Sequence, residues 1–274
     1  MPATLAAIAA SLGTDVNRFD IDVLESCPST NAELLARGEA GAPSGSVVVA
    51  NEQTAGRGRR GRHWITSPGD SLAFSLLWRF APGTAPAGLS LAAGLAVARA
   101  LQKVGAGSPC VPGTSLREQV TALKWPNDIL RNRRKLGGIL VELLPGAPHA
   151  AVIGVGINLR LPPTMPPDLR AASAALDLLR ANESALYAAL LSELLTTLER
   201  FAAGGFAALR EEWMALHAFQ DAAVLLSSDF GEPREGICRG VAGDGALLFE
   251  TGGGIERVLS GEVSLRPAAA PPAG

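Results

Sequence analysis

Lys124 to Glu142 reads KWPNDILRNRRKLGGILVE. Two apolar stretches flank the polar run RNRR (131–134), which is too short to carry a crossover helix. Strands joined by so short a turn must lie antiparallel. The first strand is expected to span ALKWPNDIL (122–130) as one piece, bent or at a sheet edge where Pro126 removes a ladder donor. KLGGILVELL (135–144) is the second, and AVIGVGINLR (151–160) continues the run as a third.

Working outward, SVVVANEQT (46–54) and SLAFSLLWRF (71–80) read as buried strands. LSLAAGLAVARALQKVG (89–105) repeats apolar residues at Leu91, Leu95, Ala98 and Leu101, which is helical spacing. STNAELLARG (29–38) offers Thr30 followed by Glu33, a capping box that predicts a helix to Arg37 stopping at Gly38. Residues 105–118 form a Gly/Pro/Ser-rich insertion, and RLPPTMPPDLR (160–170) is a loop expected to be only partly ordered when empty. A helical block runs from Asn182 to Phe201, breaks at Gly204-Gly205 and resumes to His217. From Asp221, short strands (222–228, 233–241, 245–251, 254–259) alternate with glycine turns and suit a small barrel. The expected organisation is an Ala-rich extension without an evident partner (1–20), an α+β domain (21–220), the small barrel (221–266) and a disordered tail (267–274).

Composition narrows the function classes. The net charge is −2 and 47% of residues are hydrophobic, so the chain holds a sizeable core and no general attraction for nucleic acid or membranes. Cys27, Cys110 and Cys238 are odd in number and far apart, which reads as reduced thiols in a cytoplasmic protein. No histidine pairs with a cysteine at zinc-ligand spacing. The first basic residue, Arg18, lies behind the N-terminal apolar run, the reverse of a secretory signal, and no apolar run has the ~18 residues of a membrane span.

Of the 24 basic residues only Lys103, Lys124 and Lys135 are lysines. Where arginine is so favoured, a retained lysine suggests a need for a compact ammonium. Lys103 reads as a bland helix-surface survivor. Lys124 and Asp128 are four apart on one strand and so share a face, and the following turn can bring Lys135 to Asp128. Such a cluster suits phosphate and Mg²⁺ handling, and equally a surface salt bridge. On the third strand Gly154, Gly156 and Asn158 share a face, and Gly137-Gly138 repeat the bareness beside Lys135. Such a bare face suits a ligand lying close to the backbone, and equally a helix packed tightly against the strand.

QTAGRGRRGRHW (53–64) is the strongest local anomaly, with four arginines in six residues from Arg57 to Arg62. Glycines at 56, 58 and 61 give mobility, and the guanidinium forks match carboxylate and phosphate oxygens. A loop closing on an anion, an RGG-like nucleic-acid patch and a solvated basic loop all have this composition. The P-loop pattern is absent.

In order and spacing, STN, QTAGRGRRGRHW, KWPNDIL, KLGGILVE and GVGINL resemble the signature set of bacterial biotin protein ligases, from about Ser26 to about Arg266. The resemblance implies a class II synthetase-like catalytic domain of the biotin/lipoate ligase type, with a mixed sheet and flanking helices, and an SH3-like C-terminal barrel. It implies that biotin and ATP form biotinyl-5′-AMP, and that biotin then passes to a lysine of the biotin carboxyl carrier domain of acetyl-CoA carboxylase or a related carboxylase. Ser29, Thr30, Asn31, Gln53, Arg57, Gly58, Arg59 and Lys135 would bind biotin. Arg59, Arg62, Lys124, Asn127 and Asn158 would bind ATP. Lys135, Arg59, Lys124 and Asp128 would be catalytic, with Mg²⁺ held mainly by the ATP phosphates.

The chain departs from the family at His63, where many members carry lysine, and in the 105–118 insertion. About 25 residues precede CPSTN, too few for the winged helix-turn-helix of the repressor members, so a ligase without specific DNA binding is expected. A homodimer is left open. The rivals are a lipoate or octanoate ligase, from the related catalytic domain, and a non-catalytic biotin or nucleic-acid binder.

Overall fold

The computed structural model describes residues 4–65, 67–105, 121–176, 183–228, 231–259 and 263–267. Most of the 105–118 insertion and the end of the tail lie outside them. Among the described residues a seven-stranded mixed sheet has the spatial order β1-β2-β3-β7-β6-β5-β4. These strands are β1 (Asp20–Cys27), β2 (Ser46–Gln53), β3 (Ser71–Arg79), β4 (Thr121–Lys124), β5 (Asp128–Arg131), β6 (Arg134–Leu144) and β7 (Ala147–Asn158). β1 and β2 run parallel, joined by helix α2 (Thr30–Glu39), and every other pair is antiparallel.

The two sheet faces differ for a reason visible in the side chains. On one face Phe74, Leu76, Ile153, Val155 and Ile157 pack against α3 (Leu89–Gly105) and α5 (Glu183–Gly204), all within one large core cluster. On the other, Leu34 of α2 packs with Val48, Leu77 and Val152, covering only part of the sheet. The rest of that face carries Ser75, Gly154, Gly156 and Asn158, and the last three line a cavity.

Several expectations change. β1 was not expected; it alternates weakly, and its partner β2 is remote in sequence. The N-terminal segment has a partner: α1 (Leu5–Leu12) buries Ile8 completely and packs on α5. The cap of α2 is Ser29, whose hydroxyl accepts from Ala32 N–H at 3.5 Å. Thr30 is unavailable for capping because its hydroxyl faces Gln53 and Ser75, and Glu33 pairs with Arg37 instead of returning to the cap. ALKWPNDIL is two strands, since the chain reverses at 125–127 and pairs Lys124 with Asp128. The two are neighbours because they face each other across a hairpin, and not because they alternate along one strand. Pro267 ends a strand, β12 (Val263–Pro267), where tail was expected.

The C-terminal strands β8 (Ala223–Ser228), β9 (Arg234–Val241), β10 (Leu247–Thr251), β11 (Gly254–Val258) and β12 form one antiparallel sheet, ordered β11-β10-β9-β8-β12. This is the strand set of an SH3-like domain, with no closed barrel among the described residues. It docks through Trp125, fully buried, whose indole N–H donates to Gly245 O at 3.0 Å. No helix of the described residues is long and apolar enough to cross a membrane.

Candidate active site

The open part of the main sheet floors a cavity of about 850 Å³. Every binding or catalytic residue that the resemblance implied lines it: Ser29, Thr30 and Asn31 from the start of α2, Gln53 from the end of β2, and Arg57, Gly58, Arg59 and Arg62 from the loop that follows. Lys124, Asn127, Asp128, Lys135 and Asn158 complete it from the β4–β7 edge.

At one end, polar groups form a connected row. Thr30 N–H donates to Gln53 Oε1 at 2.8 Å, and Ser75 Oγ lies 2.8 Å from Thr30 Oγ1 and 2.5 Å from Asn31 Oδ1. Asn31 Nδ2 donates to Leu140 O at 3.2 Å and to Glu142 at 2.7 Å. Ser29, Thr30, Asn31 and Ser75 are all buried. Gln53 Oε1 is engaged, so its amide nitrogen is the group left for a ligand acceptor.

The bare strand face is explained by side chains of the protein itself. A Cβ on Gly154 would sit 2.1 Å from Asn31 Oδ1, and one on Gly156 would sit 3.0 Å from the Trp64 ring. Gly138 lines the cavity, as expected. Gly137 does not: its Cβ would meet Gly156 O at 2.5 Å, so it is bare because strand β7 approaches.

At the other end, Asp128 accepts from Lys124 at 2.9 Å and from Lys135 at 2.6 Å, one carboxylate oxygen each. Burial pushes the Asp128 pKa up, but Lys135 and Lys124 outweigh it and hold the carboxyl below its usual range. With both oxygens occupied, this carboxylate orients lysines and is a poor metal ligand. No group of three or more His, Cys, Asp or Glu side chains among the described residues could hold a metal ion.

A stability consequence follows. The folded pKa of Asp128 lies below the unfolded one, so its contribution is present above the unfolded value and is lost as pH falls through the folded value. Asp128→Asn should lower unfolding free energy near neutral pH by about 2 kcal/mol. That is less than for a fully buried pair because Lys135 is 41% exposed. The gap between wild type and variant should narrow as pH drops below about 4. Urea unfolding at several pH values measures it, and a gap independent of pH would contradict the assignment.

The arginine loop is more ordered than its glycines suggested. Gly58 N–H donates to Arg62 O at 2.7 Å and Trp64 N–H to Gly56 O at 2.9 Å, making a short hairpin. Arg60 (φ 60°) and Gly61 (φ 66°) form its tip with left-handed backbone at both positions, the pattern of a mirror-image hairpin turn. Arg57 pairs with Glu142 at 3.1 Å, and Arg59 donates to Asn127 Oδ1 at 3.3 Å. Burial pulls the Arg59 pKa below its usual value; Asp128 opposes the shift, and Arg60 and Arg62 add to it. Asn127 is itself fixed by donating to Ile139 O at 2.9 Å. Asn158 donates to Ala174 O at 3.0 Å and to Lys135 O at 3.4 Å, tying the segment after α4 (Pro167–Ala172) to the sheet.

Sequence reasoning missed Ser75 and Glu142. Each is a polar residue between apolar chain neighbours on the cavity-side face of the sheet, a faint signal that pairing register makes plain. It also missed the C-terminal contribution of Leu265, Arg266 and Pro267 to the cavity wall.

With this geometry in place, likeness to known proteins is informative. Residues 23–158 match the biotin/lipoate A/B protein ligase family and residues 230–266 the biotin protein ligase C-terminal domain. The bifunctional ligase/repressor BirA of Escherichia coli K12 is 39% identical over 254 residues, covering 90% of this chain and 74% of that protein. The biotin–[acetyl-CoA-carboxylase] ligase of Mycobacterium tuberculosis is 35% identical, covering 89% of this chain and 88% of that one. The biotin protein ligase of Aquifex aeolicus in complex with biotin and ATP superposes with a TM-score of 0.72 at 26% identity, covering 91% and 99% of the two chains. On sequence, fold and site together, the chain belongs to the biotin protein ligase family.

Proposed function

We infer that the protein is a biotin–[acetyl-CoA-carboxylase] ligase, which activates biotin with ATP and transfers it to a lysine of a carboxylase's biotin carboxyl carrier domain. The observation that carries this is one cavity with two chemically distinct ends. A row of neutral hydrogen-bonding groups suits a ureido head, and a Lys–Asp–Lys cluster beside Arg59 suits a carboxylate meeting a triphosphate.

In the first step the biotin carboxylate oxygen attacks the α-phosphorus of ATP and pyrophosphate leaves. Two anions must meet, and Lys135, Lys124 and Arg59 offset their repulsion without needing to reorganise. In the second step a neutral lysine amine attacks the acyl carbon of biotinyl-5′-AMP, AMP departs with the bonding electrons of the acyl–oxygen bond, and the nitrogen releases a proton to solvent. The hairpin excludes water between the steps. Asp128 is committed to lysines, so any Mg²⁺ would be held by the ATP phosphates, whose charge it would offset. Ser29, Thr30, Asn31, Gln53, Arg57 and Gly58 take the biotin head, and Arg62, Asn127 and Asn158 line the nucleotide end.

The further elements of the reading are a cytoplasmic location and a catalytic unit at 21–220 followed by a C-terminal unit at 221–266. Incubating the protein with biotin, ATP and a carrier domain tests the function. One biotinyl group on one carrier lysine, seen by mass spectrometry, is the expected product. Lipoyl or octanoyl transfer without biotinyl transfer would favour the rival ligase.

Arg59 gives a sharper expectation. It spans from the hairpin to Asn127 over the reacting end, so it should matter more for keeping the intermediate than for making it. Arg59→Gly removes the guanidinium and loosens the hairpin. The variant should still form biotinyl-5′-AMP but release it, labelling accessible lysines of a bystander protein at least ~10-fold more than wild type does. Equal bystander labelling, with adenylation intact in both, would show that Arg59 does not close the site.

A further inference from the structure

Glu142 belongs to none of the groups assigned so far, and it does not line the cavity. It lies on β6, behind the head end. Its Oε2 accepts two donors that come from opposite sides: Asn31 Nδ2 at 2.7 Å, from the start of α2, and an Arg57 guanidinium nitrogen at 3.1 Å, from the hairpin. One carboxylate oxygen thus links the rigid wall of the site to its closing loop.

The link continues inward. Asn31 Nδ2 faces two acceptors, Glu142 and Leu140 O, so its Oδ1 must face Ser75. Ser75 then donates to Asn31, and Thr30 Oγ1 can donate to Ser75. The backbone of Thr30 pins Gln53 Oε1, which turns the Gln53 amide nitrogen toward the cavity. A continuous chain, Arg57–Glu142–Asn31–Ser75–Thr30–Gln53, therefore runs under one end of the cavity. Its only ionised members are Arg57 and Glu142.

An exposed ion pair alone would contribute little. Arg57 is 45% exposed and Glu142 29%. The shared acceptor changes this, because Asn31 is only 3% exposed and cannot turn to water if Glu142 is lost. We propose that Glu142 is a positioning residue that couples the closed hairpin to the biotin-head groups and so sets affinity for biotin. It acts through Arg57 and Asn31 and touches no substrate. The proposal rests on the reading that the biotin head occupies this end.

The test measures KM and kcat for biotin-dependent pyrophosphate exchange in wild type, Glu142→Ala, Arg57→Ala and the double variant. Glu142→Ala should raise the KM for biotin about 10–30-fold, with kcat and the KM for ATP changed less than about 3-fold. In the double variant the two penalties should overlap, so that Arg57→Ala adds less than about 3-fold once Glu142 is gone. Glu142→Gln, which keeps an acceptor but no charge, should recover part of the loss. Hydrogen–deuterium exchange on the ligand-free proteins gives a readout without substrate: the Gly58 and Trp64 amides should exchange faster in Glu142→Ala than in wild type. An unchanged or lowered KM for biotin, fully multiplicative penalties, or unchanged amide protection would overturn the proposal. If wild type shows no biotin-dependent pyrophosphate exchange, the functional reading fails, and the amide protection alone decides whether Glu142 holds the hairpin.

Discussion

Replacing Lys135 with alanine should slow biotinyl-5′-AMP formation by about 10²–10³, the usual cost of removing one preorganised charge-stabilising donor. Lys135 Nζ lies 2.6 Å from Asp128 Oδ1, in the same cavity as the biotin-head groups but at the opposite end. Asp128 is in turn held by Lys124, so the ammonium is fixed before any ligand arrives. The loss should fall on kcat more than on either KM, because the donor is needed most when charge develops on the phosphoryl oxygens. Lys135→Arg should rescue poorly, since a planar fork cannot take the place of a compact ammonium beside Gly138. Single-turnover adenylation followed by chromatography measures this. A near wild-type rate for Lys135→Ala would remove the residue from the reaction centre.

Gly154→Val should abolish measurable biotin affinity, raising its apparent Kd more than ~100-fold, and should cost about 3 kcal/mol of stability. The position a Cβ would occupy lies 2.1 Å from Asn31 Oδ1, and Asn31 is buried with partners on Leu140, Glu142 and Ser75. Any side chain there expels Asn31 and strands those partners. The effect should be confined to the head end, leaving nucleotide binding within about 5-fold, because Lys124, Asp128 and Lys135 lie on other strands. Gly252 provides a control. A Cβ there meets nothing within 4 Å, so Gly252→Ala should be silent. Isothermal titration with biotin and with ATP separates the two ends, and retained biotin affinity in Gly154→Val would contradict the role given to Asn31.

The parts of this site that could be read from sequence were those with a local cause. Alternation along β7 put Gly154, Gly156 and Asn158 on one face, and the structure agrees. The two-residue turn at Asn132-Arg133, with left-handed backbone at both, forced the β5–β6 hairpin that brings Lys135 to Asp128. What was hidden depends on pairing between remote segments. Strand β1 gains its identity from β2 across the α2 crossover, and α1 gains its role from α5 near the other end of the chain. Ser75 and Glu142 look like solitary polar residues until strand register sets each against β7, Ser75 opposite Gly154 and Glu142 opposite Val152. The break at Trp125–Asn127 is a further case, where a proline read as a bend proved to be a reversal of the chain.

The central claim is that one cavity holds a biotin-head site and an anion-joining site at reacting distance. Incubation with ATP, labelled pyrophosphate and biotin tests it most directly, since label enters ATP only if the enzyme reversibly forms an acyl adenylate. The account predicts exchange that requires biotin, is not supported by lipoate or octanoate, and falls about 10²–10³ in Lys135→Ala. Exchange that proceeds equally without biotin, or none at saturating biotin and Mg·ATP from a folded protein, would contradict it.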